Sequence, residues 1–296
     1  MANTPIRDQM SWSDHKCNLE WVSGNPCDAS YECLICNANR ERRKAAKVIP
    51  PEGRPGKLIV IEGIDGSGKE TQTRLLVDWI KHHLGKNVST FDFPSYHRSP
   101  FGRIIGRYLK GDFGDPVTMD PFETALLYAG DRMHAKMELV EPLNRGNTVV
   151  LNRYVPSNLA YGCAKLCYLD RHEERDELVT FNRQVEYEAA GLPRPDMVVV
   201  LDVESSVASD LIGSKAPRQY LEGEERDKYE LNTRFQRLVR QEYRRLALVS
   251  DGWHIVQCTE KQSQGNGPRS IEEIQEELRH LVAKISKNAI ASKNDS

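Results

Sequence analysis

From Lys57 onward the chain alternates short apolar runs with stretches of helical period. LIVIE (58–62), VSTFDF (88–93), TVVLN (148–152), MVVVL (197–201) and WHIVQC (253–258) are each five or six residues long. Runs that are apolar on nearly every residue predict strands buried on both faces, and strands separated by helices predict a parallel sheet. Between them, ETQTRLLVDWIKHHL puts Leu75, Leu76, Trp79, Ile80 and His83 on one helical face. The pattern therefore predicts an α/β fold, a five-stranded parallel sheet flanked by helices.

Two stretches fall outside this alternation. Residues 1–56 are polar and end in PPEGRPG, which no helix or inner strand could cross, so a boundary is expected there and a core over 57–290. Around 205–228, GSKAPRQYLEGEERDK is charged, poor in apolar residues and flanked by helical patterns, which reads as a mobile lid. QSQGNGPRS and the final SKNDS read as a loop and a frayed terminus.

Charge narrows the partners. Lys plus Arg (41) nearly cancels Asp plus Glu (43), a net charge of -2, which gives no general electrostatic reason to expect nucleic acid or a membrane. No apolar run is long enough to span a bilayer, and a cytoplasmic protein with reduced cysteines is expected. Of the seven cysteines, Cys17, Cys27, Cys33 and Cys36 crowd the N-terminal segment with His15 nearby. The CxxC at 33–36 is half of a structural zinc site, but Cys17 and Cys27 are irregularly placed, so zinc and an unliganded arm both stay open.

The strongest chemical signal is LIVIEGIDGSGKET, in which a strand runs into Gly63, four residues, Gly68 and Lys69, and then a helix. This is the order of a P-loop. Gly63, Gly66 and Gly68 let the backbone turn its N–H groups, with those of Asp65 and Ser67, toward an anion at a helix N-terminus; Lys69 adds a full positive charge. ATP with magnesium is the expected ligand. Glu70 stands where Ser or Thr normally meets the metal, so Glu70, Thr71 or Asn152 has to serve.

With that loop come four further motifs in order: FDFPSY, LLYAGDRMH, NRYVPSNLAY and GLPRPDMVVVLDV. Together they resemble the thymidylate kinase family across roughly residues 57–287. The resemblance implies the P-loop NTPase fold, phosphoryl transfer from ATP to dTMP giving dTDP and ADP, and a homodimer. It places Arg153 on the acceptor phosphate, Arg132 on a thymine carbonyl, Tyr128 against the base, Tyr161 against the sugar 2′ side and Asp65 on the 3′-hydroxyl, with Phe93 and Ser157 beside them. Lacking a basic residue at Gly66, the chain is expected to supply its catalytic charge from the lid, with Lys215 and Arg218 first and Arg226 third. Arg98 and Arg103 are weaker candidates for the acceptor phosphate.

Each assignment has a plain alternative: Arg153 in a surface ion pair, or Tyr128 in the core beside an Arg132 paired to Asp131. Asn152 departs from the family's Asp and loses a charge near the metal. Another deoxynucleotide or deoxynucleoside kinase, or a nucleotide-binding module without catalysis, are the competing functional readings.

Overall fold

The structure, a computed structural model, describes residues 53–213, 228–262 and 265–294. Five parallel strands, β1 (Lys57–Glu62), β2 (Val88–Asp92), β3 (Thr148–Asn152), β4 (Met197–Asp202) and β5 (Trp253–Gln257), stand in the order β2-β3-β1-β4-β5. β1 and β4 are buried along almost their whole length, as their unbroken apolar runs require. All five sequence-read strands are present; Phe93 and Cys258 fall just beyond theirs.

Helices cover both faces. α1 (Lys69–Leu84) follows β1; α2 (Pro100–Lys110), α3 (Pro121–His134) and α4 (Lys136–Asn144) lie between β2 and β3; α5 (Val155–Tyr168) and α6 (Arg175–Arg183) follow β3. α7 (Ser205–Gly213), α8 (Lys228–Leu231) and α9 (Thr233–Leu248) lie between β4 and β5, and α10 (Ile271–Asn294) closes the chain. Local signals start the helices: Ser99 accepts from Gly102 N and Asp120 from Phe122 N, each followed by a proline at the first helical position. Among the described residues no helix is long and apolar enough to cross a membrane.

Several local expectations need correction. The buried face of α1 holds Lys69, Gln72, Thr73, Leu76, Val77 and Ile80, while His83 is exposed and stacks on Trp79. The face is rotated because polar Gln72 and Thr73 go inward, Gln72 Nε2 donating to Ile271 O at the start of α10 (3.0 Å). The segment expected as a loop pairs as a hairpin, β6 (Thr259–Gln262) with β7 (Gly265–Pro268). Glycine and polar residues leave it without hydrophobic alternation, and only its backbone pairing marks it. α10 runs on to Asn294, into the expected frayed end. The first third of the expected lid is α7, whose Val207, Ala208 and Ile212 are buried; residues 214–227, with Lys215, Arg218 and Arg226, lie outside the described residues, as do His15 and the four N-terminal cysteines.

Candidate active site

The site lies where ligands collect in open α/β sheets, beyond the carboxyl ends of the strands. The turn after β1 carries three glycines with positive φ, Gly63, Gly66 and Gly68. A Cβ on Gly66 would sit 2.3 Å from the Ala208 carbonyl oxygen of α7, so only glycine fits there; at Gly68 the same construction meets nothing and faces open space. Lys69 is buried and folds over this turn, its Nζ donating to the carbonyls of Gly63 (3.1 Å) and Ile64 (2.7 Å) and to Ser67 Oγ (3.3 Å). Of the N–H groups expected to face an anion, that of Asp65 is bonded to Gln236 Oε1 and that of Ser67 to Ile64 O, while the ammonium held among carbonyls is poised to exchange those partners for phosphate oxygens.

Beside the turn lies a partly open cavity. Its walls include all seven residues expected around the acceptor: Asp65, Phe93, Tyr128, Arg132, Arg153, Ser157 and Tyr161. They come from the turn after β1, the end of β2, α3, the end of β3 and α5.

Asp65 and Arg153 join the cavity to the glycine turn. Arg153 Nη2 donates to Asp65 Oδ1 (2.5 Å) and to Tyr161 Oη (3.2 Å), and Nη1 reaches Gly63 O and Ser157 Oγ, both at 3.4 Å. Its ion pair is thus internal, with the side chain 16% exposed, and the surface-pair alternative falls away. Desolvation acts to discharge this guanidinium, but Tyr161 and Asp65 outweigh it and hold it charged. Arg153 also has φ 66, a backbone conformation non-glycine residues seldom adopt and one found at sites where a side chain must be aimed.

What holds that conformation is Glu62, the last residue of β1. Its carboxylate is fully buried and accepts from Tyr154 N (2.9 Å), Ser157 N (3.1 Å), Ser157 Oγ (2.6 Å) and Tyr243 Oη (2.7 Å). It thereby caps the start of α5 from another element and pins Tyr154 and Ser157, which follow Arg153. Burial raises its pKa above the usual glutamate value, against the pull of these donors and of Arg153. Gln236 of α9 clamps Asp65 from the other side: its Nε2 donates to Asp65 Oδ2 (3.0 Å) and its Oε1 accepts from Asp65 N (3.3 Å). Sequence reasoning missed both. An acid closing an otherwise apolar buried strand was a usable signal for Glu62; for Gln236, 171 residues away from Asp65, there was none.

Arg132 pairs with Glu186, not Asp131, through Nε (2.5 Å) and Nη2 (2.8 Å). Asp131 instead accepts from Ser95 and Ser99, tying the segment after β2 to α3. Asn158 Nδ2 donates to Glu186 Oε1 (2.9 Å), so this buried carboxylate joins two cavity-lining side chains, Arg132 and Asn158. Arg98 turns away to Glu138, and neither it nor Arg103 lines the cavity, whereas Tyr96 does.

For a metal, Glu70 is exposed on the first turn of α1 with Thr71 beside it, and Asn152 Oδ1 is buried with no hydrogen-bond partner. This oxygen-only set fits magnesium. Among the described residues no three His, Cys, Asp or Glu side chains gather as a metal site.

The comparisons with known proteins agree with this geometry. The thymidylate kinase family model matches residues 61–265. The thymidylate kinase of Mycobacterium tuberculosis is 34% identical over 198 residues, covering 66% of this chain and 87% of that protein. That of Dictyostelium discoideum is 30% identical over 223 residues, 75% of this chain and 83% of that one. The solved thymidylate kinase of Candida albicans superposes with a TM-score of 0.57 at 24% identity, over 80% of this chain and 95% of its own, a likeness of fold.

Proposed function

This chain belongs to the thymidylate kinase family, and from that premise we propose how its residues divide the transfer of a phosphoryl group from ATP to dTMP, giving ADP and dTDP. The enzyme is a nucleoside monophosphate kinase, a phosphotransferase of the ATP-using family. One observation carries the division of labour: all the expected acceptor residues line a single cavity that meets the glycine turn at the Asp65–Arg153 pair.

Phosphoryl transfer depends on alignment and on neutralising charge at the transferring group. The Gly63–Lys69 turn receives the ATP phosphates, with Lys69 giving up its carbonyl partners to them. Arg153 holds the dTMP phosphate in line with them; its contacts to Gly63 O and Asp65, at the junction of turn and cavity, support that role. Asp65 accepts from the sugar 3′-hydroxyl, and Tyr161, donating to Asp65 Oδ2 at 2.9 Å, crowds the 2′ position. Arg132, oriented by Glu186, addresses the base carbonyl; Tyr128 and Phe93 flank the ring and Ser157 steadies Arg153.

Magnesium, held by Glu70, Thr71 or Asn152, would neutralise the ATP phosphates. Lys215 and Arg218 remain the residues proposed to bring lid charge to the transferring group. The homodimer implied by the family has a surface that suits it: Phe101 and Ile104 of α2 and Leu126 and Met133 of α3 are large exposed apolar side chains. Sedimentation equilibrium tests that reading. We infer a cytoplasmic setting, with which the free thiols of Cys163, Cys167 and Cys258 among the described residues accord, and metal analysis of the purified chain decides whether Cys17, Cys27, Cys33 and Cys36 carry zinc.

The functional test is magnesium-dependent ADP formation with dTMP, dUMP, dGMP, dCMP and thymidine offered separately. Turnover highest with dTMP is the expected result. Folded protein that binds ATP and turns over none of them contradicts the reading.

A further inference from the structure

Among the described residues, Lys165 is a buried cation that the phosphoryl-transfer scheme leaves without a task. Lys165 of α5 is 1% exposed, and its Nζ donates to Tyr108 Oη of α2 (2.7 Å) and Thr124 Oγ1 of α3 (3.1 Å). Among the described residues no carboxylate is paired with it, an arrangement with a desolvation cost that a hydrophobic residue would avoid.

Tyr108 passes the constraint on. Its hydroxyl sends a hydrogen to Pro116 O (2.7 Å) and lies 2.6 Å from Tyr229 Oη. Tyr229 Oη also reaches Pro116 O (3.4 Å), so the two phenols and that carbonyl form one hydrogen-bonded cluster. Tyr229 lines the acceptor cavity, with its ring 5.7 Å from that of Tyr161. The Tyr108 ring also meets Tyr128, on the cavity wall, edge-on at 6.4 Å and 84°. Two cavity rings from α3 and α8 therefore rest on one phenol, and the lysine fixes that phenol.

We propose that Lys165 is a positioning residue for the acceptor cavity, setting dTMP affinity by holding Tyr108 and, through it, Tyr128 and Tyr229. The proposal rests on the acceptor reading of the cavity given above.

Burial pulls the Lys165 pKa down to about 7, opposed by Asp120 and Asp115. The groups facing it are Tyr108 from α2, Thr124 from α3, Asp120 at the cap of α3 with its Arg171 partner, Asp115 from the preceding segment, and Tyr229, through Tyr108, from α8. Below that pH the ammonium only donates, which keeps the Tyr108 hydrogen on Pro116; above it the amine can also accept, and the phenol is free to turn. Affinity for dTMP is accordingly higher on the acid side.

The experiment is steady-state kinetics of the full chain between pH 6 and 9, for wild type, Lys165→Met, Tyr108→Phe and the double variant. We expect each single variant to raise the dTMP KM about tenfold, the double variant to add nothing further, and kcat and the ATP KM to stay within about twofold. The ratio of variant to wild-type KM should fall as pH rises through 7. Tyr108→Phe keeps the ring and decides the matter if Lys165→Met fails to fold. Unmoved dTMP KM values, additive effects, or a ratio flat with pH would overturn the inference alone. A wild type without dTMP-dependent turnover would overturn the acceptor reading and this inference with it.

Discussion

The phosphate turn takes its geometry from residues 63 to 71, one strand end and one helix start, whereas the acceptor cavity beside it is assembled from the segments after β1, β2 and β3 and from α2, α3, α5 and α8. In the turn, backbone conformation sets the shape: positive φ at Gly63, Gly66 and Gly68, and no room at Gly66 for a Cβ beneath Ala208 O. In the cavity, side chains do it, and almost every one is held by a second residue from elsewhere in the chain. Arg132 leans on Glu186, Asp65 on Gln236, and the backbone around Arg153 on Glu62. A contiguous site survives or fails as a unit, while a dispersed one can be loosened one support at a time. That difference is open to test.

Removing Arg153 should give the largest effect, since it bridges both halves. Arg153→Ala is expected to lower kcat/KM for dTMP by about 1,000-fold, the size of losing an aimed charge at a transferring group; steady-state kinetics checks it. Next comes the pH dependence of stability. Lys165 has a folded pKa lowered from 10.5 to about 7, so the unfolded state binds more protons between those values and stability rises with pH there. The slope attributable to it is at most about 1.4 kcal/mol per pH unit, and denaturant titrations of Lys165→Met should lack that slope and give a more stable protein at neutral pH.

Smaller, and confined to the acceptor half, is Gln236→Ala. Loss of its clamp on Asp65 should cost about tenfold in kcat/KM for dTMP with the ATP KM unchanged. An equal rise in the ATP KM would mean that the two halves are one unit after all. The smallest effect is expected on the donor half from Glu70→Ala, a shift of roughly threefold in the magnesium concentration for half-maximal rate, well under 1 kcal/mol. Unchanged magnesium dependence would remove Glu70 from the metal site and leave Thr71 and Asn152.

The same contrast explains what the sequence disclosed. The five strands and the glycine turn were legible because burial on both faces and a tight anion-binding turn each leave a contiguous pattern. The β6–β7 hairpin was not, since a pair rich in glycine and polar residues carries no hydrophobic alternation. The acceptor residues Arg132, Tyr128 and Tyr161 were found through resemblance to a family; spacing alone put two of them on one helix face and could not say what they faced. Their supports stayed hidden. Glu186 is 54 residues from Arg132 and Gln236 is 171 from Asp65, distances that only the folded chain closes.

The central claim is that dTMP occupies the cavity bounded by Tyr128 while ATP sits on the glycine turn. Equilibrium titration of each nucleotide separately into wild type and Tyr128→Ala tests it most directly, because Tyr128 lines the cavity on α3, away from the turn. The account predicts that dTMP affinity falls about tenfold, the worth of one aromatic contact, and that ATP affinity does not change. Wild-type dTMP affinity in the variant, or a matching loss for ATP, would contradict it.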